Sequence, residues 1–169
     1  MTAPSAYHQL GKFIVDFQHA EETINKIIIF LANANDEEAI RILLNEFEYS
    51  QRLKTADVMF ARFVELQRES DPSAKTDFHN LISELSKLGE RRNDLVHSKY
   101  MRWIHISGTE GLIRQNSKLR ARKGLREQEE EELLPEAFTA DLQKLASALQ
   151  KLETFRLKVL DWLYPDTQA

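Results

Sequence analysis

Residues 73 to 98 read S-A-K-T-D-F-H-N-L-I-S-E-L-S-K-L-G-E-R-R-N-D-L-V-H-S. Phe78, Leu81, Ile82, Leu85 and Leu88 recur three and four residues apart, which predicts an amphipathic helix from about Ser73 to His97. An advance of about 100° per residue puts Phe78, Leu81, Ile82, Leu85, Gly89 and Val96 on one side, with Leu88 and Leu95 at its edge. Arg92 falls near the middle of that same side, whereas Arg91 points roughly the other way. Asn93 and His97, four residues apart, share the flank of the stripe. A charged residue at the centre of an apolar stripe breaks the packing rule, as happens where a site has displaced a packing residue.

The same periodicity extends on both sides. A first helix is expected from about Tyr7 to Ala34, on Leu10, Ile14, Phe17, Ile24, Ile27, Ile28 and Leu31. Asp36 is placed to cap a second helix carrying Ile40, Leu43, Leu44 and Phe47, and Ser50 a third carrying Leu53, Val58, Phe60, Phe63, Val64 and Leu66. S-D-P-S at 70 to 73 breaks the pattern before the fourth helix. A fifth runs from Pro135 or Glu136 to Leu163 on Phe138, Leu142, Leu145, Leu149, Leu152, Phe155, Leu157, Val159, Leu160 and Trp162. Between the fourth and fifth, Tyr100 to Ile106 alternates β-formers with polar residues, S-G-T-E-G at 107 to 111 is turn-rich, and Leu112 onward returns as a second strand. The expectation is an all-α, up-and-down bundle of about five helices in a single domain over residues 1 to 169. A β-hairpin and a flexible stretch form an insertion at about 100 to 134.

Composition narrows the function. The chain has 169 residues, 42% of them hydrophobic, enough for one sizeable core. Cysteine is absent, which removes disulfides, a thiolate nucleophile and cysteine-ligated zinc or iron–sulfur clusters, and fits a reducing, cytoplasmic setting. The start, M-T-A-P-S-A-Y-H-Q, lacks the basic-then-apolar order of a signal peptide, and the longest apolar run, Ile27 to Ala32, is far too short to span a bilayer. A soluble protein with no membrane partner is expected. The net charge of −4 makes any nucleic-acid affinity a local property. The local candidate is a basic limb, Arg114, Lys118, Arg120, Arg122, Lys123 and Arg126, after which Glu127 and Glu129 to Glu132 reverse the sign. The limb reads either as a solvated loop or as an RNA-phosphate guide. Tyr100, Trp103 and His105 read either as base-stacking groups or as residues packed on the bundle.

Other chemistries find no support. Asp16 and His19 have D-x-x-H spacing, but a carboxylate-bridged di-iron bundle needs two Glu-x-x-His pairs, which are absent. Neither a phosphate loop nor a G-x-S-x-G is present. No metal and no cofactor are expected.

The stretch R-N-D-L-V-H at Arg92 to His97 resembles the R-[polar]-x-x-x-H motif of HEPN domains, small helical bundles common in prokaryotic toxin–antitoxin and antiviral systems. A long first helix, two middle helices, the motif at the end of the fourth and a final helix after an insertion resemble HEPN organisation across nearly the whole chain. The resemblance implies a homodimer whose motif helices face each other around a cleft for metal-independent RNA cleavage. It implies phosphate stabilisation by Arg92, proton transfer or 2′-hydroxyl orientation by His97, and a supporting polar role for Asn93. The residue types suit that chemistry: imidazole titrates near neutrality, with a reference pKa of about 6.5, and guanidinium offers a fork of donors to a charged phosphate. Arg92 and His97 lie about 140° apart around one helix, so a composite of two chains would bring such groups together more easily than one. An antitoxin or a defence-system protein is the implied partner. Some family members carry a tyrosine two residues after the histidine; here Ser98 and Lys99 intervene and Tyr100 comes one place late. Other readings stay open. One is a HEPN-like bundle that binds RNA, nucleotide or protein without cleavage, and another is a plain interaction domain in a larger complex. At the residue level, Arg92 also reads as a snorkelling helix-end arginine and His97 as complementing the helix dipole.

Overall fold

The computed structural model describes residues 4–67, 71, 73–120 and 125–165. Five α-helices run over Ala6–Ala32 (α1), Glu37–Asn45 (α2), Tyr49–Leu66 (α3), Ala74–Val96 (α4) and Thr139–Leu163 (α5). Three strands lie between α4 and α5: β1 (Lys99–Ile104), β2 (Glu110–Arg120) and β3 (Leu125–Leu133). The protein is therefore mostly helical but not all-α. The expected hairpin and flexible stretch are a three-stranded antiparallel sheet in the order β1-β2-β3.

The added strand has a physical cause. Residues 125 to 133, L-R-E-Q-E-E-E-E-L, read alone as a solvated charge run. Paired antiparallel with β2, they set Glu131 opposite Arg114, Glu130 opposite Gln115, Glu129 opposite Asn116 and Glu127 opposite Lys118. Opposite charges directly across a ladder are favourable, and the strand's terminal Leu133 is fully buried opposite the buried Leu112. The sign reversal along the sequence is thus the mark of a pairing, with the acidic limb folding back on the basic one. In the β1–β2 turn, Gly108 takes a positive φ of 82°, which glycine adopts at no steric cost. At Gly111 a Cβ would stand 3.0 Å from the Leu133 carbonyl oxygen and 3.1 Å from the Trp103 ring, so a side chain there would need its neighbours to shift by a few tenths of an ångström.

The chain divides into two compact units, one of residues 1–17 and 90–145, the other of 18–89 and 146–169. The second is helical. Its α2 begins as expected, with the Asp36 carboxylate accepting from the Ala39 N–H at 3.1 Å. α3 begins two residues before the expected Ser50 cap: Glu48 is the N-cap, and its own N–H donates to Gln51 Oε1 at 2.8 Å. α1 ends at Asn33, whose φ of 44° lies in the left-handed region that asparagine tolerates. Phe60 of α3 stacks on Phe78 of α4 at 4.2 Å between ring centroids, and both meet Phe155 of α5 edge-on at 5.4 and 5.1 Å. All three rings are buried, each contributing about 1.5–3 kcal/mol through removal from water, so this cluster carries much of the unit's cohesion.

The first unit holds the sheet, a short 3-10 turn (Pro135–Phe138) and the ends of α1, α4 and α5 that fall within its ranges. Phe13, Phe17, Leu95, Leu112, Leu133, Phe138 and Leu145 are its large, almost fully buried side chains. No helix among the described residues is long and apolar enough to cross a membrane.

Candidate functional site

The end of α4 divides its polar residues between two environments. Arg91 is held by carboxylates. Its Nε donates to Asp141 Oδ2 at 2.8 Å, and its two terminal nitrogens form a fork on Glu131, at 2.8 Å to Oε2 and 2.9 Å to Oε1. Glu131 is shared: Arg114 Nε donates to its Oε2 at 2.7 Å. Arg114 also donates to Ser98 Oγ at 3.2 Å and lies 3.7 Å from Glu129 Oε2. Ser98 Oγ donates to the Asp94 carbonyl, and the Tyr100 hydroxyl donates to the Leu95 carbonyl at 2.6 Å, which together secure the last turn of α4.

Electrostatics follow this geometry. Hydrogen bonding to Glu131 raises the Arg91 pKa against the opposing cost of its burial. Burial pushes the Glu131 carboxyl up, but the hydrogen bonds and charges of Arg91 and Arg114 outweigh it and hold the group below the usual carboxylate range. Burial raises the Tyr100 phenol despite the nearby Arg114 and Arg91.

Arg92, Asn93 and His97 lie outside this lattice. The Arg92 guanidinium donates to the Asn93 amide oxygen at 3.0 Å and sits 5.7 Å above the Phe17 ring, within cation–π range. Among the described residues it makes no ion pair, so its charge has no carboxylate to answer it. Its side chain is half-buried, while Asn93 and His97 are exposed. The His97 N–H donates to the Asn93 carbonyl at 3.0 Å, extending the helix ladder by one residue and fixing where the imidazole leaves it. The imidazole opens on a cavity of about 310 Å³, bordered by Lys99 of β1 and by Gln115, Asn116 and Ser117 of β2. Residues 128 to 130 of β3 close its other side.

The basic limb is not one surface. Arg114 is 5% exposed and committed to Glu131 and Glu129, which makes it a structural cation of the sheet. Lys118 and Arg120 lie in β2, opposite Glu127 and Leu125; Arg122 and Lys123 lie outside the described residues. Tyr100 is half-buried and tied to α4. Trp103 packs edge-on against His105 at 5.5 Å. Asp16 pairs with Lys12 at 2.5 Å, and no group of three potential metal-binding side chains exists among the described residues.

Sequence reasoning missed Glu131 and Asp141 as the partners of Arg91. Part of the signal was present, because the register that turned Arg91 away from the stripe demanded an acidic partner on that side, and a run of glutamates stood 40 residues on. No family model, curated protein or solved structure matches the chain.

Proposed function

We propose that this protein is a metal-independent endoribonuclease of HEPN type, an up-and-down helical bundle that acts as a homodimer in a toxin or antiviral-defence role. One observation carries the reading. Of the arginines near the α4 end, Arg91 and Arg114 are bound by carboxylates, whereas Arg92, among the described residues, meets an amide oxygen and a ring face and no carboxylate. An arginine held in place but electrically unanswered suits an incoming phosphate, for which its fork of donors is the matching shape.

The proposed step follows from the residue types. His97 takes the proton of a ribose 2′-hydroxyl, whose oxygen bonds to the adjacent phosphorus as the bond from phosphorus to the 5′-oxygen breaks. The 5′-oxygen takes up a proton, leaving a 2′,3′-cyclic phosphate and a 5′-hydroxyl. Arg92 stabilises the charge gathered on the phosphate oxygens in between, and its bond to Asn93 limits the guanidinium's rotation. The half-turn between Arg92 and His97 on one helix fits a site that takes the arginine from one copy and the histidine from the other. An antitoxin or defence protein is the partner this role calls for.

A mixing experiment tests the composite site. Arg92→Ala and His97→Ala proteins, each strongly impaired alone on RNA in EDTA, regain cutting when exchanged into mixed dimers, because one intact Arg92 and one intact His97 then meet across the interface. Matching DNA, which lacks the 2′-hydroxyl, stays uncut. Mixtures that remain as inactive as either component would show that each site is built within one chain.

A further inference from the structure

The cavity beside His97 has a lining that the cleavage step does not use. Lys99, Gln115 and Glu130 form one cross-strand row, and Ser117 and Gln128 pair in the next. Positions two apart along a strand share a sheet face, so these five side chains stand together on one face, opposite to that of Arg114 and Glu131. Gln115 Nε2 donates to Glu130 Oε2 at 3.0 Å, which orients the carboxylate on this face. Amide, ammonium and carboxylate groups side by side on a rigid ladder can read a base edge. A volume of about 310 Å³ sits at the lower end of small-ligand sites and fits one nucleobase.

The lining chooses among the four bases. Phosphate is disfavoured as the group bound beside residues 128 to 130, because the Glu130 carboxylate stands on that side of the cavity. Guanine is the one base with two adjacent N–H donors, N1–H and the N2 amino group, which a single carboxylate accepts together, next to an O6 acceptor for an ammonium or amide donor. Adenine and cytosine present an acceptor where the second donor is needed, and uracil has only one donor. We propose that this cavity is a guanine subsite, with Glu130 accepting from N1–H and N2 and Lys99 or Gln128 donating to O6. The proposal rests on the nuclease reading for one further consequence. The base lies in the cavity on which His97 opens, so the ribose that His97 deprotonates is that of the bound guanosine, and cutting falls on its 3′ side.

Binding tests the subsite apart from catalysis. Guanosine 3′-monophosphate, titrated calorimetrically into the full chain, binds about tenfold or more tightly than the adenosine, cytidine and uridine 3′-monophosphates, the discrimination expected of one good bidentate contact. Glu130→Gln, an exposed substitution of equal size that replaces an acceptor oxygen with a donor, brings the four within about threefold of one another. Lys99→Ala weakens the guanosine nucleotide more than the others and serves as a second exposed variant. Equal binding of the four by the wild-type chain, no binding of any, or a guanine preference that survives Glu130→Gln would overturn the subsite. The two readings fail separately: guanine-selective binding without RNA cutting sinks the nuclease and keeps the subsite. RNA cutting that needs His97 but falls equally after all four nucleotides does the reverse.

Discussion

His97→Ala lowers RNA cleavage in EDTA by about 10²- to 10⁴-fold, the usual contribution of a positioned general base. Arg92→Ala lowers it by about 10²- to 10³-fold, the cost of removing one preorganised donor from a developing charge. Folding separates these losses from collapse of the chain. His97 is exposed and Arg92 half-buried without an ion pair among the described residues, so each variant stays within about 1 kcal/mol of wild-type stability. Arg92→Lys restores the charge but not the planar fork, and it recovers only part of the rate. Arg91→Ala supplies the contrast. It sits one residue away in sequence, yet its fork is spent on Glu131 and Asp141, so its loss appears first as lowered stability. The neighbouring arginines thus divide the work between holding the site and acting in it.

Glu131→Ala carries the largest expected cost to stability. Its carboxylate is the shared acceptor of two arginines, and among the described residues Arg114 keeps Ser98 and a 3.7 Å approach to Glu129 once it is gone. Breaking a fully buried pair costs about 3–5 kcal/mol; Glu131 is 34% exposed at its side chain, so a loss of about 2 kcal/mol is expected by urea denaturation at pH 7. The pH dependence has a definite sign. Because the folded carboxyl is held below its ordinary value, its contribution is complete above the unfolded pKa of about 4.3 and disappears as the pH falls through the folded value. The stability gap between wild type and Glu131→Gln is therefore full at pH 7 and narrows as the pH is lowered below about 4. A gap that stayed constant down to pH 2.5 would mean that Glu131 acts through shape rather than charge.

Helical periodicity carried much of this structure. The expected α4, Ser73 to His97, is observed as Ala74–Val96, and Asp36 caps α2 as its residue type and position require. The β-strand content was less legible, because β3 has no alternating apolar pattern. Its strand character comes from β2, whose Arg114, Gln115 and Asn116 stand opposite Glu131, Glu130 and Glu129 in register, and a pairing of that kind is invisible to any window read alone. The same limit explains the start of α3. Ser50 has a capping side chain, but Glu48 and Gln51 hold the helix end two residues earlier. At the site, the expected stripe ran through Arg92 and Val96, but Val96 is exposed, the buried Leu88 and Leu95 flank Arg91 at helical spacing, and both arginines are half-buried. What each one meets depended on residues far along the chain: Phe17 for Arg92, Glu131 and Asp141 for Arg91. Arg114 shows the converse. In sequence it belongs to a basic limb, whereas in the fold it faces the unit's interior and neutralises Glu131.

The central claim is that RNA is cut through its own 2′-hydroxyl by a site containing His97. Mass spectrometry of the products formed in EDTA tests it most directly, because the ends record which oxygen attacked. Wild-type protein is predicted to leave 2′,3′-cyclic phosphate and 5′-hydroxyl ends, with an RNA carrying a single 2′-deoxy residue uncut at that residue and His97→Ala leaving no products. Ends bearing a 5′-phosphate, or cyclic-phosphate ends produced undiminished by His97→Ala, would contradict it.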